Sequence, residues 1–241
     1  MYLSDCGYAP YGERDATHVL ARSRAITNFL LEQHQIKALV IACNTATALA
    51  IQQLRKDRPN LPIVGVEPAL KPAGLRSATK HIGVLATRAT LQSAKFQMLL
   101  GSTQACATFI CQACDGLADA IEQDNAIKIR ALCAEYMCAF GHFGSDPAAV
   151  DTVVLGCTHY PFVADLLQAL AGPQVTLIES GKPVAMQTRR VLAGRLQLGS
   201  AQPGSIRWVT SGNADTLSIA ALRWLGLVIA KVTLMRPAGP R

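Results

Sequence analysis

The chain of 241 residues is long enough for one large domain or two small ones. Half of its residues are apolar and 16% are charged, but no apolar run reaches the roughly 18–20 uncharged residues that span a bilayer. The formal net charge of +7 comes from scattered basic residues, which argues against a nucleic-acid partner. Met1–Tyr8 lacks the basic and apolar regions of a signal peptide, so we expect a cytoplasmic protein with no membrane segment.

Short apolar runs of strand length alternate with helical patterns along the chain. The predicted strands are Ala38–Ala42, Ile63–Val66, Ile82–Ala86, Thr152–Gly156, Val175–Ile178 and Ile206–Thr210. Amphipathic patterns predict helices over Asp15–His34, Gln112–Gly141 and Pro161–Leu170. Strands that are apolar on both faces and alternate with helices indicate an α/β protein with a mainly parallel sheet.

The sequence also contains two similar segments, which indicate a duplication. In each, a strand ends at a cysteine, a helix and a second strand follow, and a glutamate comes next. Cys43 and Glu67 mark the first segment, and Cys157 and Glu179 mark the second at nearly the same spacing. Two duplicated α/β halves that face each other would each supply one cysteine to a shared cleft.

Cys43 and Cys157 each stand where a predicted parallel strand ends, which is where ligands bind in open α/β sheets. A helix N-terminus or a neighbouring proton acceptor at such a position lowers the pKa of a thiol from its ordinary value of ~8.5. Two thiols on opposite sides of one carbon can invert a stereocentre, because one removes a proton while the other delivers one. The alternative for either cysteine alone is a small buried hydrophobic residue.

Polar residues follow each of these cysteines directly. Asn44 and Thr45 come after the first, and Thr158 and His159 come after the second, at the expected helix N-termini. Their donors would suit a carboxylate ligand. The alternative is that Asn44 and Thr158 only cap helices and that His159 is structural.

The remaining cysteines do not form a recognisable metal site. Cys111 and Cys114 form a lone C-x-x-C without the second pair or the spaced histidines of a zinc site. The chain also lacks a Gly-rich dinucleotide motif and a P-loop. We therefore expect no metal and no cofactor.

At its cysteine motifs the chain resembles the glutamate racemases of the cofactor-independent amino-acid racemase superfamily. The matching segments are A-C-N-T-A-T at Ala42–Thr47, L-G-C-T-H-Y-P at Leu155–Pro161, P-Y-G at Pro10–Gly12, G-V-E-P-A at Gly65–Ala69 and V-L-A-T-R-A-T at Val84–Thr90. The resemblance covers nearly the whole chain. It implies interconversion of L- and D-glutamate without a cofactor, and a supply of D-glutamate for peptidoglycan.

The resemblance also implies roles for individual residues. Cys43 and Cys157 would be the two acid–base thiols, His159 would assist Cys157, and Glu122 would orient the imidazole. The implied substrate-binding residues are Tyr11, Gly12, Asn44, Thr45, Thr158 and His159.

The implied fold consists of two pseudo-symmetric flavodoxin-like domains with mainly parallel sheets and an active site in the cleft between them. Residues 1–90 and 208–241 would form one domain and residues 91–207 the other. The implied partner is the small-molecule substrate glutamate, and a homodimer is compatible with the family.

The chain departs from the family at its start. Members begin with a strand that carries an Asp-Ser-Gly motif and with a helix, a unit of roughly 30 residues, whereas this sequence starts at the next strand. We therefore expect Tyr2–Asp5 and Ala38–Ala42 to lack a shared neighbouring strand, and we expect low activity. The alternatives are a racemase that acts on aspartate or another small acid, and an inactive relative with a binding role.

Overall fold

The structure of the protein, a computed structural model, describes residues 1–194 and 204–235 of the chain. The strands are β1 (Tyr2–Ser4), β2 (Leu39–Ile41), β3 (Ile63–Gly65), β4 (His81–Ala86), β5 (Thr108–Ala113), β6 (Thr152–Leu155), β7 (Thr176–Ile178), β8 (Trp208–Thr210) and β9 (Val232–Leu234). The α-helices are α1 (Ala16–His34), α2 (Asn44–Asp57), α3 (Leu70–Arg76), α4 (Arg88–Gln92), α5 (Ala94–Gly101), α6 (Leu117–Glu122), α7 (Ala126–Cys138), α8 (Ala164–Ala171), α9 (Gly181–Ala193) and α10 (Ala214–Leu225). Short 3-10 helices cover Tyr11–Glu13 and Tyr160–Val163.

The strands form parallel sheets, which confirms the predicted α/β class. One sheet has the order β5-β4-β6-β7, a second has the order β1-β8-β9, and β2 pairs with β3. All four residues of β6 are buried, as expected for a strand that helices cover on both faces. No helix in the described part of the chain is both long and apolar enough to cross a bilayer.

The two similar sequence segments adopt similar structures. In the first, β2 leads through Cys43 into α2 and then into β3, which pairs with β2 in parallel. In the second, β6 leads through Cys157 into a 3-10 turn, α8 and β7, which pairs with β6 in parallel. Each cysteine therefore lies at the carboxyl end of a parallel strand.

All six predicted strands are present, with ends that shift by a residue or two. The predicted helix over Gln112–Gly141 is wrong in its extent, since its first residues belong to β5 and the rest divides into α6 and α7. Strand β5 lies at a sheet edge and is only partly buried, so its sequence lacks the apolar run that marks the other strands. The division between α6 and α7 occurs at Asp124, whose φ of 50° is left-handed, and Asn125 then caps α7.

The predicted domain boundary near residue 90 stays a prediction. Strand β4 lies before that boundary, yet it pairs with β5 and β6, which lie after it. Residues 195–203 and 236–241 of the predicted domains lie outside the described residues.

Strands β1 and β2 each have one edge without a paired strand within the described residues. Leu3 of β1 and Leu39 and Ile41 of β2 nevertheless contribute to one apolar cluster with residues of α1 and α2. Val40 is 40% exposed, which is high for a valine inside a parallel strand. The predicted effect of these unpaired edges on activity stays a prediction.

Candidate active site

Cys43 caps the N-terminus of α2. Its Sγ accepts a hydrogen bond from the backbone N–H of Ala46 at 3.4 Å. Burial raises the pKa of the Cys43 thiol to about 11, although the hydrogen bond from Ala46 lowers it in part and the nearby charge of Cys157 raises it further. At neutral pH Cys43 is therefore a protonated thiol that can donate a proton.

Cys157 follows β6 and contacts a histidine–glutamate pair. Its Sγ lies 3.6 Å from Nδ1 of His159, and Nε2 of His159 lies 2.8 Å from Oε1 of Glu122. Burial lowers the pKa of His159, but the hydrogen bonds to Cys157 and Glu122 and the charges of both groups outweigh it and raise the pKa to about 10. At neutral pH His159 can therefore hold a proton and donate from both ring nitrogens.

The loops that carry the two cysteines are joined by a direct hydrogen bond. The hydroxyl of Thr158, next to Cys157, donates to the carbonyl oxygen of Ala42, next to Cys43, at 3.3 Å. These residues are 116 positions apart in the sequence. The structure therefore brings the loops of the two predicted catalytic cysteines together, close enough for the charge of Cys157 to act on the Cys43 thiol.

Asn44 and Thr45 lie at the start of α2 beside Cys43. Asn44 is only 5% exposed, and its Nδ2 has no hydrogen-bond partner among the described residues. The hydroxyl of Thr45 lies 2.9 Å from the hydroxyl of Thr87 and 3.3 Å from that of Thr90. Because a buried donor without a partner costs about 1–3 kcal/mol, Asn44 is poised to bind an acceptor such as a carboxylate.

Tyr11 and Gly12 reach the Cys43 side of the cleft through a 3-10 turn. The hydroxyl of Tyr11 donates to the carboxylate of Asp5, and burial together with this hydrogen bond raises the pKa of Tyr11. Arg22 donates to both oxygens of the same carboxylate, at 3.0 and 2.7 Å. A Cβ on Gly12 would lie 2.8 Å from Cγ2 of Thr87, so the close approach of this turn requires glycine.

Two further hydrogen bonds join segments on the Cys43 side of the site to segments on the Cys157 side. Oε1 of Glu13 accepts a hydrogen bond from the backbone N–H of Gly116 at 3.2 Å, and the hydroxyl of Ser180 donates to the carbonyl oxygen of Glu67 at 2.8 Å. The first lies beside the Tyr11–Gly12 turn at the start of α6, the helix that ends at Glu122. More than one hydrogen bond therefore joins the segments near Cys43 to the segments near Cys157.

The sequence did not single out Asp5, Arg22, Thr87 or Thr90 as contributors to this site. Thr87 and Thr90 lie within V-L-A-T-R-A-T, which matches the family, and Asp5 lies five residues before the matching P-Y-G segment. Their position in or near a matching segment was the signal that could have identified them. Arg22 offered no such signal, because one arginine in an amphipathic helix resembles any solvated residue.

The described residues contain no group of three or more His, Cys, Asp or Glu side chains arranged to hold a metal ion. The chemistry that the residues around Cys43 and Cys157 offer is acid–base chemistry. It consists of the protonated Cys43 thiol, the Cys157 thiol whose proton His159 can hold, and the amide donor of Asn44 at the start of α2.

Comparison with known proteins places the chain in a family. The model of the Asp/Glu/hydantoin racemase family matches residues 8–188. The chain therefore belongs to this family of racemases.

The relatives that match over most of the chain are glutamate racemases. The enzyme of Pseudomonas putida is 40% identical over 222 residues, which cover 90% of this chain and 80% of the relative. That of Pseudomonas aeruginosa is 41% identical over 227 residues, or 93% and 83% of the two chains. A solved glutamate racemase isoform from Bacillus anthracis is 28% identical with a TM-score of 0.84, and the match covers 98% of this chain and 86% of the other.

Proposed function

We propose that the protein interconverts L- and D-glutamate by a mechanism with two thiol bases and no cofactor, and that it supplies D-glutamate for peptidoglycan. The observation that carries the proposal is the Thr158–Ala42 hydrogen bond, which holds the Cys43 and Cys157 loops against each other. The similarity to glutamate racemases over 90% or more of the chain supports glutamate as the substrate.

The different surroundings of the two thiols suit opposite roles in one turnover. His159 accepts the proton of Cys157, so Cys157 as a thiolate removes the proton from the α-carbon. The C–H electron pair stays on the substrate as a carbanion. Cys43, protonated at neutral pH, then delivers its proton to the opposite face and becomes the thiolate. The reverse reaction uses the same groups with exchanged roles.

The substrate carboxylate would lie at the N-terminus of α2. Asn44 offers a buried amide donor without a partner, and the first N–H groups of a 14-residue helix carry partial positive charge. The hydroxyls of Tyr11, Thr45 and Thr158 already bond within the protein, so these residues would contribute through backbone groups or as second acceptors.

Single cysteine variants test the mechanism. We expect Cys43→Ser and Cys157→Ser each to abolish racemisation of glutamate, measured by chiral chromatography, because each removes one of the two bases. Each variant should still exchange the α-proton of one enantiomer in D₂O, and the two variants should differ in which enantiomer they exchange. Cys138→Ser, which changes an exposed cysteine at the end of α7, is the matched control and should keep wild-type activity.

Near wild-type racemisation by either catalytic-site variant would refute the two-thiol mechanism. Parallel assays with L-aspartate distinguish a glutamate racemase from an aspartate racemase. Faster turnover of aspartate than of glutamate would overturn the proposed specificity. Absence of racemisation and of α-proton exchange with both amino acids would favour the binding role instead.

We also propose that the protein works in the cytoplasm. Its eight cysteines are all free, as expected in a reducing compartment. The homodimer stays a prediction, which light scattering of the purified protein can test.

A further inference from the structure

The last turn of α10 contacts both segments that carry the histidine–glutamate pair. Nε of Arg223 lies 3.2 and 3.0 Å from the two carboxylate oxygens of Asp124, which is two residues beyond Glu122. The indole of Trp224 stacks on the ring of Phe162, three residues beyond His159, with centroids 5.5 Å apart and planes at 28°. Adjacent residues of one helix thus hold the two segments.

We propose that Arg223 and Trp224, which we call the α10 clasp, are positioning residues that fix the Glu122–His159 pair in its catalytic geometry. The inference rests on the proposed function, because it assigns the clasp a role through His159 and Cys157. The polar and stacking contacts described for the clasp reach Asp124 and Phe162 rather than the two cysteines.

Glu122 and His159 need such support because the elements that carry them are short. Glu122 is the last residue of a six-residue helix, and the chain turns sharply at Asp124 with its left-handed φ of 50°. His159 precedes a four-residue 3-10 helix. The side chains of His159 and Glu122 are 30% and 41% exposed, so packing around them alone does not restrict both rotamers.

The two contacts of the clasp are coupled to each other and to the core. The guanidinium of Arg223 lies 4.9 Å from the ring centroid of Trp224, so the two side chains order one another. Trp224 and Phe162 both pack against the apolar cluster that contains Cys157. Leu222, in the same turn of α10, is 57% exposed.

Stability alone does not explain the Arg223–Asp124 pair. The side chains of Arg223 and Asp124 are 56% and 44% exposed, and pairs at this exposure contribute little to folding. A contact that is weak energetically still restricts orientation, and an error of about 1 Å in catalytic geometry can cost a large factor in rate. Loss of the clasp should therefore lower kcat more than it lowers stability.

Steady-state kinetics of full-length variants test this role. We expect Trp224→Ala and Arg223→Ala to lower kcat about ten-fold, part of the hundred-fold or more that a positioned acid–base group contributes, and to change KM less than about two-fold. Trp224→Phe keeps a ring to stack on Phe162 and should recover most of the loss. Leu222→Ala, a truncation one position away on the exposed face, should keep wild-type kcat.

Exchange of the α-proton in D₂O separates positioning from general damage. In the Cys43→Ser background, exchange depends on Cys157 and His159, and Trp224→Ala should slow it about ten-fold. In the Cys157→Ser background, exchange depends on Cys43, and the same substitution should leave it unchanged. Equal slowing in both backgrounds, or an unchanged kcat in Trp224→Ala and Arg223→Ala, would overturn the clasp.

Thermal unfolding of each variant shows whether Trp224→Ala folds. If it does not, Arg223→Ala still tests the loss of kcat, and Trp224→Phe still tests whether a ring at this position preserves it. The clasp and the proposed function fail differently. If the single cysteine variants racemise glutamate, the proposed function is wrong. If those variants lose racemisation but Arg223→Ala keeps full kcat, only the clasp is refuted.

Discussion

The Asp5–Arg22 ion pair should contribute far more to stability than a chemically similar pair on the same helix. The side chains of Arg22 and Asp5 are only 17% and 8% exposed, and Arg22 also lies 3.4 Å from the ring centroid of Tyr8. Arg24, one half-turn along α1, forms an ion pair with Asp57 in which the side chains are 46% and 29% exposed. Arg22→Leu and Arg24→Leu therefore make the same chemical change in two environments.

The expected magnitudes follow from burial. Removing one partner of a buried pair leaves an uncompensated charge and costs about 3–5 kcal/mol, whereas a solvent-exposed pair contributes little because water screens it. For a chain of this size about 1 kcal/mol corresponds to about 2–4 °C, so Arg22→Leu should lower the Tm by about 6–20 °C and Arg24→Leu by less than about 4 °C. Leucine and arginine have similar helix propensities, so the helix itself adds little to either difference.

Circular dichroism during thermal and urea unfolding measures both variants. The Arg22→Leu protein should also bind substrate less tightly if it still folds, because Asp5 then loses the partner that orients it towards Tyr11. Equal Tm shifts in the two variants would refute the reasoning, since burial would then not decide the contribution of the pair.

Three further perturbations have clear expected results. Gly12→Ala places a methyl group 2.8 Å from Cγ2 of Thr87, so kcat/KM should fall about ten-fold, equivalent to about 1.4 kcal/mol. The additional substitution Thr87→Ser should recover part of this loss, and unchanged kinetics in Gly12→Ala would contradict the prediction. The pKa of His159 is raised to about 10 from an ordinary 6.5, so the stability it contributes is complete below pH 6.5 and is lost as the pH rises through 10. The difference in unfolding free energy between wild type and His159→Asn should shrink from pH 7 to pH 10 in urea titrations, and a constant difference would refute this. Asp151→Ala removes the acceptor for the Ser77 hydroxyl and for two backbone N–H groups at 2.6–2.9 Å. The Tm should therefore fall by about 4–8 °C, for a loss of about 2 kcal/mol. A fall of less than about 2 °C would argue against this role of Asp151.

The features that the sequence predicted well are those that short segments determine. The six predicted strands are continuous apolar runs, and their pattern does not depend on distant residues. The positions of Cys43 and Cys157 at strand ends follow from the same runs. The proximity of the two cysteines required one more step, the duplication of the α/β unit, and the Thr158–Ala42 hydrogen bond agrees with it.

The features that the sequence missed depend on contacts between distant residues. Strand β5 gains its partner only when β4 lies beside it, and its partly exposed residues do not form an apolar run. The Arg223–Asp124 contact joins residues 99 positions apart, and neither residue differs locally from a solvated charge. Such contacts can be predicted only when the position of α10 relative to Asp124 and Phe162 is known, and no local sequence pattern specifies that position.

The duplicated segments explain why one fold can supply both an acid and a base. Each cysteine ends a strand of a similar unit, but the residue two positions later is Thr45 in one unit and His159 in the other. The hydroxyl of Thr45 joins a buried threonine cluster and cannot hold an added proton at neutral pH, so burial keeps Cys43 a protonated thiol. His159 instead lies between Cys157 and Glu122 and can hold the proton that the thiol releases. A threonine in one unit and a histidine in the other therefore help to separate the two roles. After each turnover Cys43 has lost its proton and Cys157 has gained one, so the site must exchange protons with solvent, or run in reverse, before it can act on the first enantiomer again.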